Sequence, residues 1–579
     1  MAQKVADDLW DMLVQAGVKR CYGIVGDALN PVIAALSRRD DIEFVHVRHE
    51  EWGAFAASAE AFLTGEPVAV CGTAGPGIVH LVNGLLDAFH ERCPVIAVAG
   101  DIETSVMDLA PIEGINPKDL FQTASLWTGR VVNPHQARGV FSEAIRTAIL
   151  DRGPTVIAIP GDIASADSPG GPIDLVVPTV PWPQPAEADL RAIADLVNAA
   201  GKVTVFGGDG CRDAGADVVA LARKLKAPVG FSLKGKPWLE AGNPNAVGMT
   251  GLLGYGGCFH AVKEADLVLM LGTDFPFPDF LEAGGAKVVQ VDDNAIRLGR
   301  RTPIAAGSVA DVGAFVRALT PLVDERDDDT HLNRSLEISR DWVGRLNVYV
   351  DGGDKRSPIR PEYVAATLNE LMDDDAIVTV DTGTPVMWAS HHIEFGGDRR
   401  MFGSFSWASM ASASPNAFGA AKAYPGRQVV AMCGDGGFSM LAFGDLITEV
   451  QHNARIVHVV FNNGALDFVE IEQQEVGLVP YGTDLPNPNF AAIAHAFGAM
   501  GIRVEDPAEV RSAITEALAH TDGPVVLDMV TDRSALALPS HVPAKTAEGF
   551  TLSLARRVLK GDIGDVITTA RDNYRLLKP

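Results

Sequence analysis

The sequence has few cysteines and little basic charge, and both scarcities narrow the class of protein. Its six cysteines are scattered, with no Cys-x-x-Cys pair and no Cys/His group at zinc spacing. The sequence therefore indicates neither a disulfide framework nor a structural metal site. Its 48 Lys and Arg residues are outnumbered by 74 Asp and Glu, for a formal net charge of −26. Because this surplus of acid repels phosphate backbones and anionic lipid at long range, no nucleic acid and no general membrane surface is expected as the main partner.

Long apolar stretches are also lacking. No window holds the ~18 apolar residues of a membrane-spanning helix, and the first residues carry no apolar targeting segment. Together with the cysteine pattern, this predicts a cytoplasmic protein. Hydrophobic residues make up 47% of the 579-residue chain. That fraction is enough for a core in each of three or four domains of ~100–200 residues, which excludes disordered and fibrous classes.

Helical patterns alternate with short apolar runs along most of the chain, which is typical of buried parallel strands separated by helices. We therefore predict an α/β fold of three doubly wound parallel-sheet domains. Pro-rich, charged or Gly-rich stretches at 168–185, 324–329 and 351–354 separate them. The runs that predict strands are Cys21–Val25, Val68–Cys71, Val95–Ala99, Thr155–Ile159, Val203–Phe206, Leu267–Leu271, Val288–Val291, Ile377–Val380, Val429–Met432, Ile456–Phe461 and Val525–Met529.

One sequence pattern occurs in both the first and the third domain, and we call it the internal echo. Ala144-Ile145-x-x-Ala148 precedes a Gly-Pro pair and an apolar run, and Ala513-Ile514-x-x-Ala517 precedes another such pair and run. Two interpretations remain open. The domains are related, or any unit of helix, Gly-Pro and strand has this appearance.

The third domain contains a pattern that predicts a metal and phosphate site. One apolar strand ends in Gly434-Asp435-Gly436-Gly437, and the next ends in Asn462-Asn463. A carboxylate at such a strand end lies beside a helix N-terminus, where anions and their metal counterions bind. Asp and Asn side chains, a backbone carbonyl and phosphate oxygens form the octahedral oxygen set that Mg²⁺ prefers. A second Gly-Asp-Gly, at 208–210, has Pro237 and no asparagine at the corresponding offset, so it predicts no such site.

This Gly-Asp-Gly…Asn-Asn pattern resembles the signature of enzymes that depend on thiamine diphosphate. Arg48-His49-Glu50-Glu51 resembles the segment that carries the family's catalytic glutamate, which makes Glu50 the matching residue. In that family the carboxyl group hydrogen-bonds the aminopyrimidine and favours the imino form that removes the thiazolium proton. Without the Gly-Asp-Gly motif, Glu50 would be interpreted as an ordinary acid at a helix start.

The resemblance implies further cofactor contacts. Gly72–Gly77 follows a strand and opens a helix, as a turn next to a ligand would, although any tight strand–helix turn gives this pattern. Met410 matches the apolar residue between the two cofactor rings, a role that rests on the resemblance alone. The implied contacts are Trp407, Ala408, Ser409, Met410, Asp435, Gly436, Gly437, Asn463, Leu466, Asp467 and Phe468, with Mg²⁺ on Asp435, Asn463 and the backbone carbonyl of Ala465.

Within the family, the sequence resembles the pyruvate oxidases, or quinone-dependent pyruvate dehydrogenases, over almost the full chain. The resemblance implies oxidative decarboxylation of pyruvate, a small 2-keto acid, to acetate and CO₂, with electrons passing to FAD and then to a quinone. Asp292 lies at the end of an apolar run. This position is consistent with a nucleotide-binding fold independently of the resemblance. The residues that match flavin-contacting segments are Thr250, Gly251, Leu252, Leu253, Thr273, Asp274, Phe275, Pro276, Phe277 and Asp292.

Two departures weaken the assignment of pyruvate. Ile112 and Glu113 stand where the resembled enzymes have an aromatic residue and Gln beside the substrate, and Asp467 stands where they have Gly. A carboxylate there repels an anionic keto acid unless it is protonated or turned away. A non-oxidative carboligase of the acetolactate synthase type, a phosphate-dependent pyruvate oxidase and a nucleotide-binding protein without catalysis therefore remain as alternatives.

The predicted domains are 1–180, which binds the pyrimidine, 185–345, of the FAD-binding type, and 355–535, which binds the diphosphate, followed by a tail at 536–579. In this family the glutamate and the diphosphate motif meet across a subunit interface. The resemblance therefore implies a homodimer at minimum and, by expectation, a homotetramer.

The tail combines apolar and basic residues at helical spacing, which is consistent with peripheral docking on the inner face of the cell membrane. A terminal helix docked on the protein is the alternative, because Asp562, Asp565 and Asp572 dilute the basic charge. The residues of this pattern are Leu552, Leu554, Ala555, Val558 and Leu559 with Arg556, Arg557 and Lys560, and the chain ends in a basic Arg575–Pro579 segment.

Overall fold

The computed structural model describes residues 3–281, 284–536, 539, 541–542, 544–560, 571 and 573. In this part of the chain, three α/β units with mainly parallel sheets follow one another, which confirms the predicted fold class. Every apolar run that predicted a strand overlaps one, although the run Cys21–Val25 extends two residues beyond β1, which ends at Gly23.

The N-terminal domain is a six-stranded parallel sheet in the order β2-β1-β3-β4-β6-β5. Alternate strand residues enter two separate apolar clusters, so helices cover both faces. Its strands are β1 Arg20–Gly23, β2 Glu43–His46, β3 Val68–Gly72, β4 Val95–Asp101, β5 Trp127–Arg130 and β6 Thr155–Pro160. Its helices are α1 Val5–Gln15, α2 Asn30–Leu36, α3 Glu50–Thr64, α4 Pro76–Glu91, α5 Pro117–Leu120, α6 Ala137–Leu150 and α7 Gly161–Ala164.

The described part of the middle domain is a seven-stranded sheet in the order β10-β9-β8-β7-β11-β12-β13, in which the β9–β10 pair is antiparallel and the other pairs are parallel. Its strands are β7 Val203–Gly207, β8 Val229–Phe231, β9 Ala246–Met249, β10 Tyr255–Gly256, β11 Leu267–Leu271, β12 Lys287–Asp292 and β13 Ala306–Val309. Its helices are α8 Glu187–Ala199, α9 Gly215–Leu225, α10 Lys236–Leu239, α11 Cys258–Lys263, α12 Val312–Leu319 and α13 Thr330–Val350.

The C-terminal domain is a six-stranded parallel sheet in the order β15-β14-β16-β17-β19-β18. Its strands are β14 Ile377–Val380, β15 Arg400–Phe402, β16 Val429–Gly434, β17 Ile456–Asn462, β18 Met500–Val504 and β19 Val525–Val530. Its helices are α14 Pro361–Leu371, α15 Thr384–His392, α16 Ala413–Ala423, α17 Asp435–Gly437, α18 Phe443–Gln451, α19 Asp467–Glu475, α20 Phe490–Phe497, α21 Val510–Ala519 and α22 Ala544–Lys560.

The first and third sheets have the same strand order when each is numbered from its own first strand. The two halves of the internal echo fall on equivalent units, because α6 precedes β6 and α21 precedes β19. Ile145 and Ile514 are fully buried in these helices. The shared strand order favours a relation between the two domains over a chance resemblance.

The N- and C-terminal domains share one apolar core. Helices α3 and α16 pack so closely that a Cβ at Gly419 would overlap the carbonyl of Ala56. Trp52 and Phe418 meet in this core with ring centroids 4.8 Å apart, and burial of each such side chain stabilises the contact by about 1.5–3 kcal/mol. This packing brings α4 of the N-terminal domain next to the loop at 403–410 of the C-terminal domain.

Helix α22 of the tail is docked on the protein. A Cβ at Gly549 would overlap the carbonyl of Glu475, and Ser553 and Arg556 donate hydrogen bonds to the carbonyls of Leu478 and Gly477. Leu552 and Val558 nevertheless remain 46% and 42% exposed. The side chains of Leu559 and Lys560, the three aspartates of the tail and the basic end lie outside the described residues. No helix within the described part of the chain is long and apolar enough to cross a membrane.

Candidate active site

Asp435 lies at the carboxyl end of the third sheet, between two neighbouring strands. It follows β16, which pairs with β17, and Asn462 and Asn463 stand at the end of β17. Asp435 Oδ2 accepts hydrogen bonds from the Gly464 N–H at 2.8 Å and from Asn487 Nδ2 at 2.7 Å, and Oδ1 accepts one from the Gly436 N–H at 2.8 Å. Carboxylate and amide oxygens therefore converge at one edge of the sheet.

The turn after β17 is held in shape by a second segment. Gly464 has φ = 71°, a left-handed conformation that favours glycine. Its carbonyl accepts the Leu485 N–H at 2.8 Å, and the Leu466 N–H donates to the carbonyl of Thr483 at 2.8 Å. Residues 463–466 are thus fixed on a neighbouring strand-like segment, which orients the Ala465 backbone beside Asp435.

The electrostatics of Asp435 fit a cation. Burial raises its pKa, and hydrogen bonds from Gly464, Gly436 and Asn487 oppose the shift. Among the described residues no Lys, Arg or His forms an ion pair with it. A buried carboxylate with hydrogen-bond donors but no cationic partner is the setting in which a divalent ion supplies the missing charge. Burial likewise raises the pKa of Asp467 well above its usual range, with the charges of Glu470 and Asp435 acting in the same direction.

Met410 lies over the Gly-Asp-Gly turn. A Cβ at Gly436 would stand 2.8 Å from Leu466 and 3.3 Å from the Met410 methyl group, so glycine leaves room for both side chains. Ala408 and Ala411, on either side of Met410, have φ of 62° and 66°. Non-glycine residues in this left-handed region are strained, and such strain collects at functional sites.

Glu50 begins α3 in the N-terminal domain and is nearly buried. Its Oε2 lies 2.9 Å from His80 Nδ1 on α4, and His80 stacks on His49 with ring centroids 4.5 Å apart. Burial, followed by the charge of His80, lowers the pKa of His49. A Cβ at Gly77, in the turn that opens α4, would stand 3.2 Å from Glu50 Oε1. The Gly72–Gly77 turn is therefore beside the carboxyl group, as a turn next to a ligand would be.

Asn83 on α4 connects the Glu50 segment to the loop over Met410. Its Nδ2 donates to Glu51 Oε1 at 2.8 Å and to Ser409 Oγ at 3.1 Å, and its Oδ1 accepts the Trp407 indole N–H at 2.7 Å. Within the described residues, no hydrogen bond joins Glu50 itself to the Asp435 and Asn463 group. The structure therefore brings the two predicted halves of the site next to one loop, but not into direct contact within one chain.

Ile112 and Glu113 lie in an exposed loop beside the Gly72–Gly77 turn. A Cβ at Gly75 would stand 2.8 Å from the Glu113 Cβ. Glu113 has φ = 62°, and Ile112 is 90% exposed. Their place in a substrate pocket stays a prediction.

The middle sheet has a switch point between β7 and β11, where the strand order reverses. Open parallel sheets bind nucleotides in the crevice outside such a point. The backbone is closely packed there, because a Cβ at Gly208 would overlap Gly272 and Thr273, and one at Gly210 would overlap Gly272. The second Gly-Asp-Gly is thus a tight turn at this crevice.

The residues predicted to contact flavin lie around the same edge. Those at 250–253 form the β9–β10 turn, those at 273–277 follow β11, and Asp292 ends β12. Burial raises the pKa of Asp292 to about 6, against the opposing charge of Arg297. The carboxylate of Asp274 pairs with Arg300 and Arg301. Their contact with FAD stays a prediction.

Sequence reasoning missed several residues that the structure places in the site. His80 contacts Glu50, Asn487 contacts Asp435, and Asn83 joins the two segments. His80 and Asn83 lie within a helix and Asn487 in an irregular segment, so none of them carries the strand-end signal that identified Asp435 and Asn463. The only sequence signal was their nearness to Glu50 or to the Asn-Asn pair.

Comparison with known proteins agrees with this geometry. Three family models match: thiamine pyrophosphate enzyme, N-terminal TPP binding domain, at residues 3–123, its central domain at 190–319, and its C-terminal TPP binding domain at 381–529. Thiamine pyrophosphate and thiamine diphosphate are the same compound.

Several similar proteins match at least 89% of the chain. The putative thiamine pyrophosphate-containing protein YdaP of Bacillus subtilis (strain 168) is 34% identical over 95% of this chain and 96% of its own. A pyruvate oxidase of Lactiplantibacillus plantarum is 30% identical over 89% and 86%. The acetolactate synthase isozyme 1 large subunit of Escherichia coli (strain K12) is 26% identical over 93% and 96%. The chain therefore belongs to the thiamine pyrophosphate enzyme family.

Proposed function

We propose that this enzyme oxidatively decarboxylates pyruvate, or another small 2-keto acid. In this reaction pyruvate and water yield acetate and CO₂, and two electrons pass to FAD and then to a quinone. The proposal is supported by similarity to a pyruvate oxidase over most of both chains. The structural observation that carries it is the switch point between β7 and β11 of the middle sheet, because open parallel sheets bind nucleotides outside such a point.

Thiamine diphosphate and Mg²⁺ fit the residues of the C-terminal domain. Asp435, Asn463 and the Ala465 carbonyl would hold the metal ion and, through it, the diphosphate. When bound, the thiazolium ring supplies a carbon nucleophile and an electron sink for decarboxylation. The turn at 463–466 and Asn487 fix the orientation of the metal ligands.

The proton chemistry belongs to the N-terminal domain. Glu50 presents Oε1 beside the Gly77 turn, while Oε2 is held by His80. A carboxyl group with one oxygen fixed and the other directed towards a ligand can hold a proton on the pyrimidine side and return it. Met410, backed by strained residues, would fix the distance between the cofactor rings.

A second candidate is a non-oxidative carboligase of the acetolactate synthase type. The observation that favours it is similarity to acetolactate synthases over at least 89% of this chain. Such an enzyme releases CO₂ from one keto acid and joins the remaining two-carbon unit to another, so no electrons leave the substrate.

Anaerobic addition of pyruvate to the purified, flavin-loaded protein separates these functions. We expect the visible flavin band to bleach while CO₂ and acetate form in equal amounts. CO₂ and acetolactate without bleaching would support the carboligase instead. Absence of any keto-acid decarboxylation would support a nucleotide-binding protein without catalysis.

The assembly proposed here is a homodimer at minimum and by preference a homotetramer. It is supported by the lack of a direct contact between Glu50 and the Asp435 group within the described part of one chain. Light scattering on the eluting protein should give a mass that is a multiple of 61.3 kDa. A monomer at working concentration would contradict it.

A further inference from the structure

Glu91, the last residue of α4, lies where all three domains meet. Its side chain is almost fully buried. Oε1 accepts the backbone N–H of Ser406 at 2.6 Å, and Oε2 accepts the ammonium group of Lys234 at 2.6 Å. The same ammonium lies 3.5 Å from Ser406 Oγ. One ion pair therefore joins an N-terminal helix, a turn of the middle domain and a loop of the C-terminal domain.

The Lys234 side of this ion pair is tied to the middle-domain crevice. Lys234 lies in the short turn Leu233–Gly235 that follows β8. Ser232 donates its N–H to the carbonyl of Gly207 at 3.0 Å, and a Cβ at Gly235 would overlap that carbonyl. Gly207 ends β7, which borders the switch point. A nucleotide bound outside the switch point would therefore lie near the strand end on which the Lys234 turn is packed.

The Ser406 side is tied to the loop that carries Met410. His90 on α4 stacks on Trp407 with ring centroids 4.9 Å apart. The Ser409 N–H donates to Ser404 Oγ at 3.0 Å. Ala408, between them, has a left-handed φ of 62° and so few alternative conformations. A shift of Ser406 would therefore be transmitted to Met410.

The ion pair is shielded from solvent, because the Glu91 side chain is 1% exposed and that of Lys234 is 24% exposed. Burial lowers the pKa of Lys234, but the charges of Glu91 and Asp209 outweigh this and raise it above its ordinary value. Removing one partner of such a buried pair leaves an uncompensated charge, which is costly. Either single substitution should therefore perturb both ends of the link.

We propose that Glu91 and Lys234 are positioning residues that couple the crevice of the middle domain to the loop at 403–410. FAD bound in the crevice would then strengthen the binding of thiamine diphosphate. This proposal rests on the proposed function, because it takes both cofactors as ligands of this chain. By thermodynamic reciprocity, thiamine diphosphate strengthens FAD binding by the same factor.

The test titrates thiamine diphosphate with Mg²⁺ into the cofactor-free full chain, with and without saturating FAD, in a calorimeter. We expect the wild type to bind roughly fivefold or more tightly with FAD, in the usual range of allosteric coupling. Lys234→Met and Glu91→Gln should bring this ratio towards one, and Lys234→Arg, which keeps the charge, should retain most of it. Lys422→Met is the matched control, because Lys422 pairs with Glu43 across the N- and C-terminal domains. It should keep the wild-type ratio.

Two results would overturn the coupling: a wild-type affinity that does not depend on FAD, or an unchanged ratio in both Lys234→Met and Glu91→Gln. A parallel FAD titration followed by flavin absorbance separates this failure from failure of the proposed function. Flavin binding without coupling overturns only the positioning role. Absence of flavin binding overturns the flavin-dependent function and the coupling with it.

Discussion

At the scale of single residues, the site depends on a buried carboxylate that lacks a cationic side-chain partner in the described structure. Asp435 receives three hydrogen bonds from Gly436, Gly464 and Asn487. Because this environment favours a divalent cation, Asp435→Ala should weaken Mg²⁺-dependent binding of thiamine diphosphate by about 100-fold or more. Calorimetry with varied Mg²⁺, in the absence of FAD, measures this loss.

Asp209 gives the matched control for that substitution, since it occupies the other Gly-Asp-Gly. Asp209→Ala should change the same affinity by no more than about twofold, because the strand that follows it brings no asparagine to the turn. Equal losses in the two variants would contradict the assignment of the metal site to Asp435.

Asp87, on the buried side of α4, predicts a dependence of stability on pH. Burial, followed by the charge of Glu91, raises its pKa to about 7, whereas the unfolded chain titrates near the ordinary value of 3.8. Between these values the folded state binds the extra proton, so the free energy of unfolding falls as pH rises from about 4 to 7. Asp87→Asn removes this loss of stability. The loss amounts to a few kcal/mol at most, since one pKa unit corresponds to about 1.4 kcal/mol.

Thermal unfolding at pH 5 and pH 8 checks the prediction for Asp87. The difference in midpoint between Asp87→Asn and wild type should grow in favour of the variant at pH 8. The exposed Asp40→Asn should show no such trend. If the unfolding midpoints of wild type and Asp87→Asn change in parallel with pH, the pKa of the Asp87 carboxyl group is not raised in the folded state.

Single residues of the site differ in how well the sequence predicts them. Asp435 and Asn463 were predictable because each follows an apolar strand, and the ends of neighbouring parallel strands lie together. His80 and Asn487 were not, because their positions depend on helix packing and on an irregular segment. The sequence also left open whether Asp467 adds charge to the pocket. Its burial raises the pKa and favours the neutral carboxyl group.

At the scale of elements, the tail helix α22 gives a prediction about membrane docking. It is docked on α19 and on Gly477, which Leu552 contacts, yet Leu552 and Val558 remain partly exposed. We expect the full chain to sediment with anionic liposomes and a chain that ends after Gly549 to lose most of this binding, because truncation removes the apolar and basic residues together. Co-sedimentation measures both, and equal binding by the two chains would refute membrane docking.

Strands were easier to predict than helix ends or short edge strands. The buried central strands read as continuous apolar runs, because both faces of each sheet are covered. Strands such as β2, β5 and β18 carry polar or half-buried residues at the sheet edges, so their sequences resemble loops. The internal echo was visible because α6 and α21 bury the same small apolar pattern.

At the scale of the whole molecule, an acidic protein is proposed to bind anionic ligands. The location of the binding sites explains how this is possible. Anionic groups are expected at strand ends, beside backbone N–H groups and a metal ion, and not on the acidic surface. In the proposed function, the three domains divide the chemistry among them. The N-terminal domain would supply Glu50, the C-terminal domain the metal ligands and the middle domain the flavin site, and Glu91 contacts Lys234 and Ser406 of the other two domains.

The most direct test of this account is the exchange of the thiazolium C2 proton with deuterium on the bound cofactor, followed by NMR. Glu50→Gln should slow the exchange by about 10²–10⁴-fold, the usual contribution of a positioned acid–base group. The affinity for thiamine diphosphate should stay close to that of the wild type, and the exposed Glu66→Gln should change neither quantity. An unchanged exchange rate in Glu50→Gln, with the cofactor bound, would contradict the central role assigned to this carboxyl group.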